Sequence, residues 1–308
     1  MEDKEILEFD RCLYGVAEKT GKILLFMEDD VKRKIQEIRL RVNKPLSVTL
    51  RGESLFVSEN SRIVKNSAEG YTVSKAEVEE SFKRLTGSSV YSHLNEIKHG
   101  YVSMRYGGRA GISGTFSSEG AVTHISSLNI RIAREKTGVA DKLFKEYTNG
   151  GVLIAGKAGS GKTTMLRDFI RQLSNCGKRV AVVDSRGEIG ATYQSESYCD
   201  LGVNTDVLTG FAKDTGMEMA LRTLYPNVIA FDEIGRSEEI EKIKDCLYTG
   251  IDVITTAHLG SISELKSNPI ISELISTRAV KTLVCLCDIA GDGYKIYKNG
   301  EVERLCGL

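Results

Sequence analysis

The stretch "GKAGSGKTT" at residues 156–164 has the residue types and spacing of a phosphate-binding loop, G-x-x-x-x-G-K-[ST]. In such a loop, backbone N–H groups surround the phosphates at a helix N-terminus, where the helix dipole favours anions. The lysine would reach the β- and γ-phosphates, and the hydroxyl of the following threonine would hold Mg²⁺. The sequence therefore predicts a site for ATP and Mg²⁺ with these binding residues: Gly156, Gly159, Ser160, Gly161, Lys162, Thr163 and Thr164.

A pair of acids follows the apolar run "NVIAF" and is the first candidate for hydrolytic chemistry. Asp232 would support the metal beside Thr163, and Glu233 would polarise the attacking water, unless Glu233 is only a solvated strand end. "DEIG" also fits the D-x-x-G switch of GTPases, but an N-K-x-D guanine signature does not occur, because "NKPL" at residues 43–46 lacks the aspartate.

Two other strand ends carry polar candidates, in "VVDSRGEIG" and "DVITTAHLG". Ligands of open parallel sheets bind beyond the carboxyl ends of the strands, so Asp184 and Glu188 are expected to face the nucleotide or metal. His258 would sense the γ-phosphate, or else be an exposed loop histidine. The residues leave open whether Glu188 or Glu233 positions the water.

The elements that would position these residues begin near residue 151. Short apolar runs alternate with longer helical patterns, such as "TTMLRDFIRQLSNCG", which is typical of a parallel sheet buried on both faces. The last segment, "GYKIYKNGEVERL", reads as a hairpin that turns at Asn299 and Gly300. Before residue 135, "IQEIRLRVNKPLSVTLRGESLFVS" predicts short antiparallel strands and "SKAEVEESFKRLTG" predicts a capped helix. We therefore expect an α+β domain at 1–135 and an α/β domain at 136–308.

The stretch "SLNIRIARE" closes the first of these domains. Its apolar residues alternate as in a strand, which puts Arg131 on the outer face and Arg134 on the buried face. Because an unpaired guanidinium is costly to bury, the strand is expected to end or bulge near Ala133. Arg134 would then be free to swing out at a hinge, unless both arginines form structural salt bridges.

Composition limits the class of protein. The 308 residues are 41% hydrophobic and 27% charged with zero formal net charge, which argues against a protein that coats nucleic acid. Seven scattered cysteines do not resemble a disulfide framework, and Cys285 and Cys287 are expected to be buried thiols in a reducing compartment. The N-terminus lacks a signal-peptide pattern, and no apolar run approaches the roughly 18 residues of a membrane span. A cytoplasmic protein is expected, peripheral to a membrane through a partner.

The order of these motifs resembles that of the secretion and pilus-retraction motor ATPases. The segment "ALRTLYPNVIAFDEIGR" is similar to one in that superfamily, and the resemblance puts Arg222 and Arg236 near the nucleotide. More narrowly, "IQEIRLRVNKPL", "GGRAGISGTF", "ISSLNIRIARE" and "VVDSRGEI" resemble the stage III sporulation protein AA family from about residue 35 onward. The chain departs from the family pattern at Lys157 and Ala158, where a proline-containing loop is expected, and the first 30 residues show no family motif.

The resemblance implies a RecA-like P-loop ATPase domain preceded by a smaller α+β domain. It also implies a hexameric ring, in which Arg131 or Arg134 reaches the γ-phosphate, in cis or in trans. The activity would be that of a mother-cell ATPase that works with the membrane proteins of a sporulation channel into the forespore.

A nucleic-acid-dependent ATPase is the alternative. The basic residues between positions 32 and 51 would follow phosphates, or else form a solvated face or a subunit contact: Lys32, Arg33, Lys34, Arg39, Arg41, Lys44 and Arg51. No RNP-like aromatic pattern accompanies them. A P-loop kinase of small metabolites fits poorly, because no acceptor pocket is recognisable.

Overall fold

The computed structural model describes residues 3–117, 122–132, 134–193, 196–286 and 293–306. The chain forms two compact units, Met1–Arg134 and Glu135–Leu308. Ala133 and Cys287 lie outside the described residues, so the predicted strand irregularity near Ala133 and the predicted burial of Cys287 are not addressed. Cys285 is a buried free thiol, as predicted. Within the described ranges, no helix has the length and apolar character needed to cross a bilayer.

The first unit combines helices with an antiparallel sheet. Its helices are α1 (Lys4–Cys12), α2 (Glu18–Leu25), α3 (Asp29–Lys32), α4 (Lys75–Leu85) and α5 (Leu94–Lys98), with short 3₁₀ turns at Leu13–Gly15, Ser67–Glu69 and Tyr91–His93. Its strands are β1 (Ile35–Arg41), β2 (Lys44–Pro45), β3 (Ser47–Leu50), β4 (Glu53–Val57), β5 (Ile63–Val64), β6 (Thr72–Val73), β7 (Tyr101–Ser103), β8 (Arg109–Phe116) and β9 (Val122–Arg131). In the described residues the main sheet has the order β5-β4-β3-β1-β9-β8-β7, and β2 pairs separately with β6.

The strand alternation places apolar residues on one face of this sheet. Ile38 and Leu40 of β1 are fully buried opposite Ile130 and Leu128 of β9. Polar residues occupy the other face, where Glu37 lies opposite Arg131. Since side chains alternate with a period of two, the predicted antiparallel strands and their buried face are confirmed.

Glu77 connects helix α4 to the rest of the first unit. The helix begins with a capping box between Ser74 and Glu77. The Glu77 carboxylate also accepts hydrogen bonds from Thr20 Oγ1 at 2.8 Å and Tyr71 OH at 2.7 Å. Burial opposes the charge, but the hydrogen bonds from Tyr71, Ser74 and Thr20 outweigh it and hold the pKa of Glu77 below its ordinary 4.5.

Replacing Glu77 with alanine should lower the free energy of unfolding by about 3 kcal/mol at neutral pH, because buried hydroxyls and a helix cap lose their acceptor. A depressed folded pKa means that the stabilisation is present above pH 4.5 and is lost as the pH falls through the folded value. Urea titrations between neutral and acidic pH measure the effect. The control is Glu79→Ala, since Glu79 is exposed and forms a surface ion pair with Lys75 at 3.6 Å. A Glu77→Ala loss as small as that of Glu79→Ala, or one that does not shrink in acid, would contradict this role.

The second unit is an α/β fold. Its helices are α6 (Asp141–Glu146), α7 (Lys162–Asn175), α8 (Lys213–Thr223), α9 (Ser237–Tyr248), α10 (Glu264–Ser267), α11 (Pro269–Ser276) and α12 (Gly300–Cys306). Its strands are β10 (Gly151–Gly156), β11 (Val180–Asp184), β12 (Thr192–Tyr193), β13 (Glu196–Ser197), β14 (Thr205–Thr209), β15 (Val228–Phe231), β16 (Asp252–His258), β17 (Val280–Cys285) and β18 (Lys295–Lys298).

The main sheet of this unit has the order β14-β11-β15-β16-β10-β17-β18 in the described residues. All neighbouring strands are parallel except β18, which runs antiparallel to β17. Strands β10, β11 and β15 are buried along their whole length, because helices cover both faces. Because β10, β11, β15 and β16 run parallel, their carboxyl ends meet at one edge, where the predicted strand-end residues lie.

The predicted C-terminal hairpin is wrong in its second half. Strand β18 forms, but residues 300–306 form helix α12 instead of a returning strand. Val302 is 1% exposed, and Val302 and Leu305 both pack on the core beneath α10 and α11. Their spacing of three residues suits one face of a helix, and this packing overrides the turn signal at Asn299 and Gly300.

Candidate active site

The phosphate-binding loop joins β10, in the interior of the sheet, to α7. Gly159 and Gly161 have φ values of +74° and +93°, which non-glycine residues rarely adopt, and Gly161 is the N-cap of α7. At Gly156 a Cβ atom would lie 2.4 Å from Ser160 Oγ. The local sequence thus needs glycine at all three positions, two for conformation and one for space.

Lys162 is buried at the centre of the loop, with 7% of its surface exposed. Its Nζ donates to the carbonyl oxygens of Gly156 at 2.9 Å and Lys157 at 2.8 Å, and it lies 3.1 Å from His258 Nδ1. An ammonium group only donates hydrogen bonds, so the geometry makes His258 Nδ1 the acceptor. The ring proton is then on Nε2, which lies 3.6 Å from Glu233 Oε1.

Asp232 links the loop to strand β16. Thr163 Oγ1 donates to Asp232 Oδ2 at 3.0 Å, and Thr256 Oγ1 donates to Asp232 Oδ1 at 2.5 Å. Thr256 is fully buried, and its hydroxyl also accepts the Glu233 N–H at 2.9 Å. A hydroxyl and a carboxylate are hard oxygen ligands of the kind that Mg²⁺ prefers. Thr163 and Asp232 therefore fit the predicted metal position.

Glu233 has an unusual backbone conformation for a residue with a side chain. Its φ is +50°, in the left-handed region. The carboxylate is partly exposed and lies 4.0 Å from Arg186 Nη1 on the far side from His258. Strained residues persist only where surrounding contacts hold them, and they concentrate at functional sites.

Asp184 is buried at the end of β11, where it lines a small pocket together with Glu188, Asp232 and Glu233. Its carboxylate is 2% exposed and accepts the backbone N–H groups of Glu188, Ile189 and Gly190 at 2.8, 2.9 and 2.8 Å. Burial raises the pKa of Asp184, and those three hydrogen bonds oppose the rise. Because both carboxylate oxygens point into the following loop, Asp184 shapes that loop and so places Glu188.

The predicted residues at the strand ends meet in a cleft of about 300 Å³. All its lining residues except Thr256 were predicted from sequence: Gly159, Gly161, Lys162, Thr163, Thr164, Glu188, Asp232, Glu233, Thr256 and His258. Ser160 Oγ is buried beside the cleft and has no hydrogen-bond partner among the described residues. A phosphate oxygen would supply an acceptor for such a hydroxyl, so the loop fits a nucleoside triphosphate.

Sequence reasoning assigned no role to Thr256, Arg186 or Lys213. Arg186 and Lys213 line a second pocket of about 520 Å³ on the other side of Glu233, together with the predicted Arg236. Lys213 Nζ donates to the Glu233 carbonyl oxygen. Thr256 follows Asp232 and Glu233 in the chain and gives no sequence signal of its own, because its contacts with them depend on strand order.

Arg222 lies away from this group. It is on α8, nine positions beyond Lys213 and thus about 13.5 Å further along the helix axis. Its guanidinium is exposed and pairs with Glu218 at 2.6 Å. The resemblance-based placement of Arg222 near the nucleotide is therefore wrong for the site of its own chain.

The two arginines of "SLNIRIARE" belong to the first unit and differ from each other. Arg131 has a side chain that is 72% exposed, and its Nε lies 3.1 Å from Glu37 Oε1. Arg134 is held by the carbonyl oxygens of Glu5, Lys32 and Ile35 and by Glu8 Oε2 at 3.6 Å. The expectation that Arg134 is free to swing out is wrong, because main-chain acceptors occupy its guanidinium.

Three of the seven basic residues considered as a phosphate track form ion pairs within the first unit. Lys32 is 5% exposed and lies 3.2 Å from Asp10 Oδ1. Arg33 pairs with Asp3 at 2.8 Å, and Arg39 pairs with Glu37 at 2.9 Å. These contacts reduce the positive charge available to a polyanion.

Two solved structures resemble the chain in fold. The ATPase DotB of Yersinia pseudotuberculosis aligns with a TM-score of 0.58 and 16% identity, over 92% of this chain and 83% of that chain. The pilus retraction motor PilT with bound ADP aligns with a TM-score of 0.58 and 16% identity, over 91% and 85%. The predicted RecA-like α/β class is thereby confirmed.

Sequence comparison gives the family. Type II secretion system protein E of Dickeya dadantii is 26% identical over 68% of this chain, which spans 44% of that protein. Stage III sporulation protein AA of Bacillus subtilis is 34% identical over 89% of this chain and 91% of that protein. The family described as "Sporulation stage III, protein AA" matches residues 11–301. The chain therefore belongs to the Sporulation stage III, protein AA family.

Proposed function

We propose that this chain hydrolyses ATP to ADP and phosphate and uses the reaction as a secretion-type motor. The observation that carries the proposal is the contact between Thr163 Oγ1 and Asp232 Oδ2 at 3.0 Å, with Glu233 next in the same cleft. It brings the metal-binding hydroxyl of the phosphate loop, its supporting carboxylate and a candidate base together at the carboxyl edge of a parallel sheet.

Each residue has a distinct role in the proposed mechanism. The loop N–H groups and Lys162 bind the phosphates, so Lys162 exchanges its carbonyl partners and His258 for phosphate oxygens. Mg²⁺ held by Thr163 and Asp232 would neutralise charge on the β- and γ-phosphates. Glu233 orients water and accepts its proton. His258, once separated from Lys162, forms a hydrogen bond with the γ-phosphate and so links the phosphate to the position of Glu233.

Glu188 remains a second candidate base. It lines the same cleft and its position depends on the Asp184 loop. Glu233 is favoured because its carboxylate faces both His258 and Arg186, at 3.6 and 4.0 Å. Two basic side chains near the carboxylate restrict its position electrostatically, and restricted position favours a general base.

We further propose that the chain acts in a hexameric ring, in the cytoplasm, at a membrane-bound sporulation channel that takes the force. Membership of the sporulation family and the similarity to type II secretion protein E support this setting. A ring neighbour would supply an exposed arginine such as Arg131 to the site. Arg236 already lines the 520 Å³ pocket beside Glu233 of its own chain.

ATP hydrolysis measured over a range of protein concentrations tests the proposal. Specific activity should rise steeply as subunits assemble, because an arginine supplied in trans is worth about 10³-fold or more in kcat. Light scattering on the same samples reports assembly independently. Concentration-independent turnover by a strict monomer would contradict the motor, and stimulation by DNA or RNA at low salt would favour the nucleic-acid-dependent alternative.

A further inference from the structure

We infer that Lys213 and Glu239 are positioning residues that clamp the backbone of Glu233 in its left-handed conformation. The inference rests on the proposed role of Glu233 in hydrolysis. It assigns a task to two charged residues that lie behind the cleft and outside the phosphate loop.

Lys213 begins helix α8 and points beneath the "DEIG" segment. Only 18% of its side chain is exposed. Its Nζ donates to the Glu233 carbonyl oxygen and lies 3.5 Å from Glu239 Oε1. A lysine this far removed from water needs compensating partners. Here one partner, Glu233, belongs to the "DEIG" segment, and the other, Glu239, binds that segment.

Glu239 holds the other end of the segment. Its side chain is 7% exposed, and Oε2 accepts the N–H groups of Gly235 at 2.8 Å and Arg236 at 3.3 Å. Strand β16 completes the set, since Thr256 binds the Glu233 N–H through its hydroxyl and the Ile234 N–H through its carbonyl, at 2.9 and 2.8 Å. The segment is therefore fixed from three elements: α8, α9 and β16.

This arrangement explains why a glutamate can occupy a conformation that glycine prefers. The clamp fixes the direction in which the side chain leaves the backbone, and that direction sets where the carboxylate meets water. A small displacement of a catalytic group costs as much as about 100-fold in rate. Loss of the clamp should thus reduce kcat while leaving the phosphate loop, and hence ATP affinity, intact.

The test compares Lys213→Met with Lys242→Met in the full chain. Lys242 is a matched control, because it also joins α9 to α8, through Glu218 at 3.1 Å, but makes no contact with residues 233–236 in the described structure. Lys213→Met should lower kcat about 10-fold or more with ATP affinity changed less than about 2-fold. Lys242→Met should change neither, and Lys213→Arg should recover part of the rate.

A double-mutant cycle separates positioning from a general loss of structure. In a Glu233→Gln background, Lys213→Met should have little further effect, because both changes act on the same group. Independent, multiplied losses would overturn the inference, as would an unchanged kcat in Lys213→Met or a weakened ATP affinity.

Hydrogen exchange tests the clamp without relying on hydrolysis. Lys213→Met should speed amide exchange in residues 233–236, and Lys242→Met should not. If Glu233→Gln hydrolyses ATP at the wild-type rate, the proposed role of Glu233 fails. If Glu233→Gln is impaired but Lys213→Met exchanges and turns over like wild type, only the clamp fails.

Discussion

Replacing Glu233 with glutamine is expected to lower kcat for ATP hydrolysis by about 100-fold or more, with ATP binding retained. Glutamine keeps the shape of the side chain and the backbone contacts of residue 233, but it cannot accept a proton from water. The substitution leaves Lys162 and Thr163, the proposed nucleotide-binding residues, unchanged, so the affinity for ATP should stay near the wild-type value.

Steady-state hydrolysis and the binding of a fluorescent ATP analogue measure the two quantities separately. Glu188→Gln is the comparison that separates the two candidate bases, since Glu188 lines the same cleft. Lys162→Ala gives the opposite pattern, because the loss of the phosphate-binding ammonium should abolish binding itself. Full activity of Glu233→Gln together with an inactive Glu188→Gln would transfer the role of base to Glu188.

Arg131→Ala is expected to abolish most hydrolysis, and mixing it with Glu233→Gln should restore a part. In a head-to-tail ring, a site made by two different subunits is intact when one supplies Glu233 and its neighbour supplies Arg131. Random mixing in equal amounts creates this pairing at roughly one site in four. An arginine that acts on the transferring phosphoryl group is worth about 10³-fold or more, so the recovered activity should stand well above either variant alone.

Arg39→Ala serves as the control for the sheet face. Arg39 shares the partner Glu37 with Arg131, at 2.9 Å and 3.1 Å, but it lies on the neighbouring strand. It should keep near wild-type hydrolysis and should not be needed for complementation. Full activity of Arg131→Ala would contradict a role of Arg131 in hydrolysis, and a mixture no more active than its components would exclude action in trans.

The sequence predicts best those features that repeat or that follow a fixed spacing. The strand ends of β11, β15 and β16 could be located because apolar runs stop at polar residues, and parallel order then brings those ends to one edge. The direction in which a side chain points does not follow from such a pattern. The Asp184 carboxylate binds three N–H groups of its own loop, and no pattern of residue types predicts those contacts.

Hydrogen-bond partners that are far apart in the chain could not be predicted from the sequence either. Arg134 finds carbonyl oxygens about 100 or more positions away along the chain, so its neighbours depend on how α1 and α3 pack. Nothing in the sequence marks Lys213, because its contact with Glu233 forms only when α8 packs against β15. Periodicity finds the elements, but the polar contacts between them require the packed structure.

The shared carboxylate of Glu37 has a consequence for motion. Its side chain is 15% exposed, so the loss of both arginine partners would leave a buried carboxylate without a compensating charge, which is costly. Arg39 binds the other carboxylate oxygen, Oε2, at 2.9 Å. If Arg131 moved to a neighbouring subunit, Glu37 would therefore keep one cationic partner, which lowers the cost of releasing the exposed Arg131 side chain.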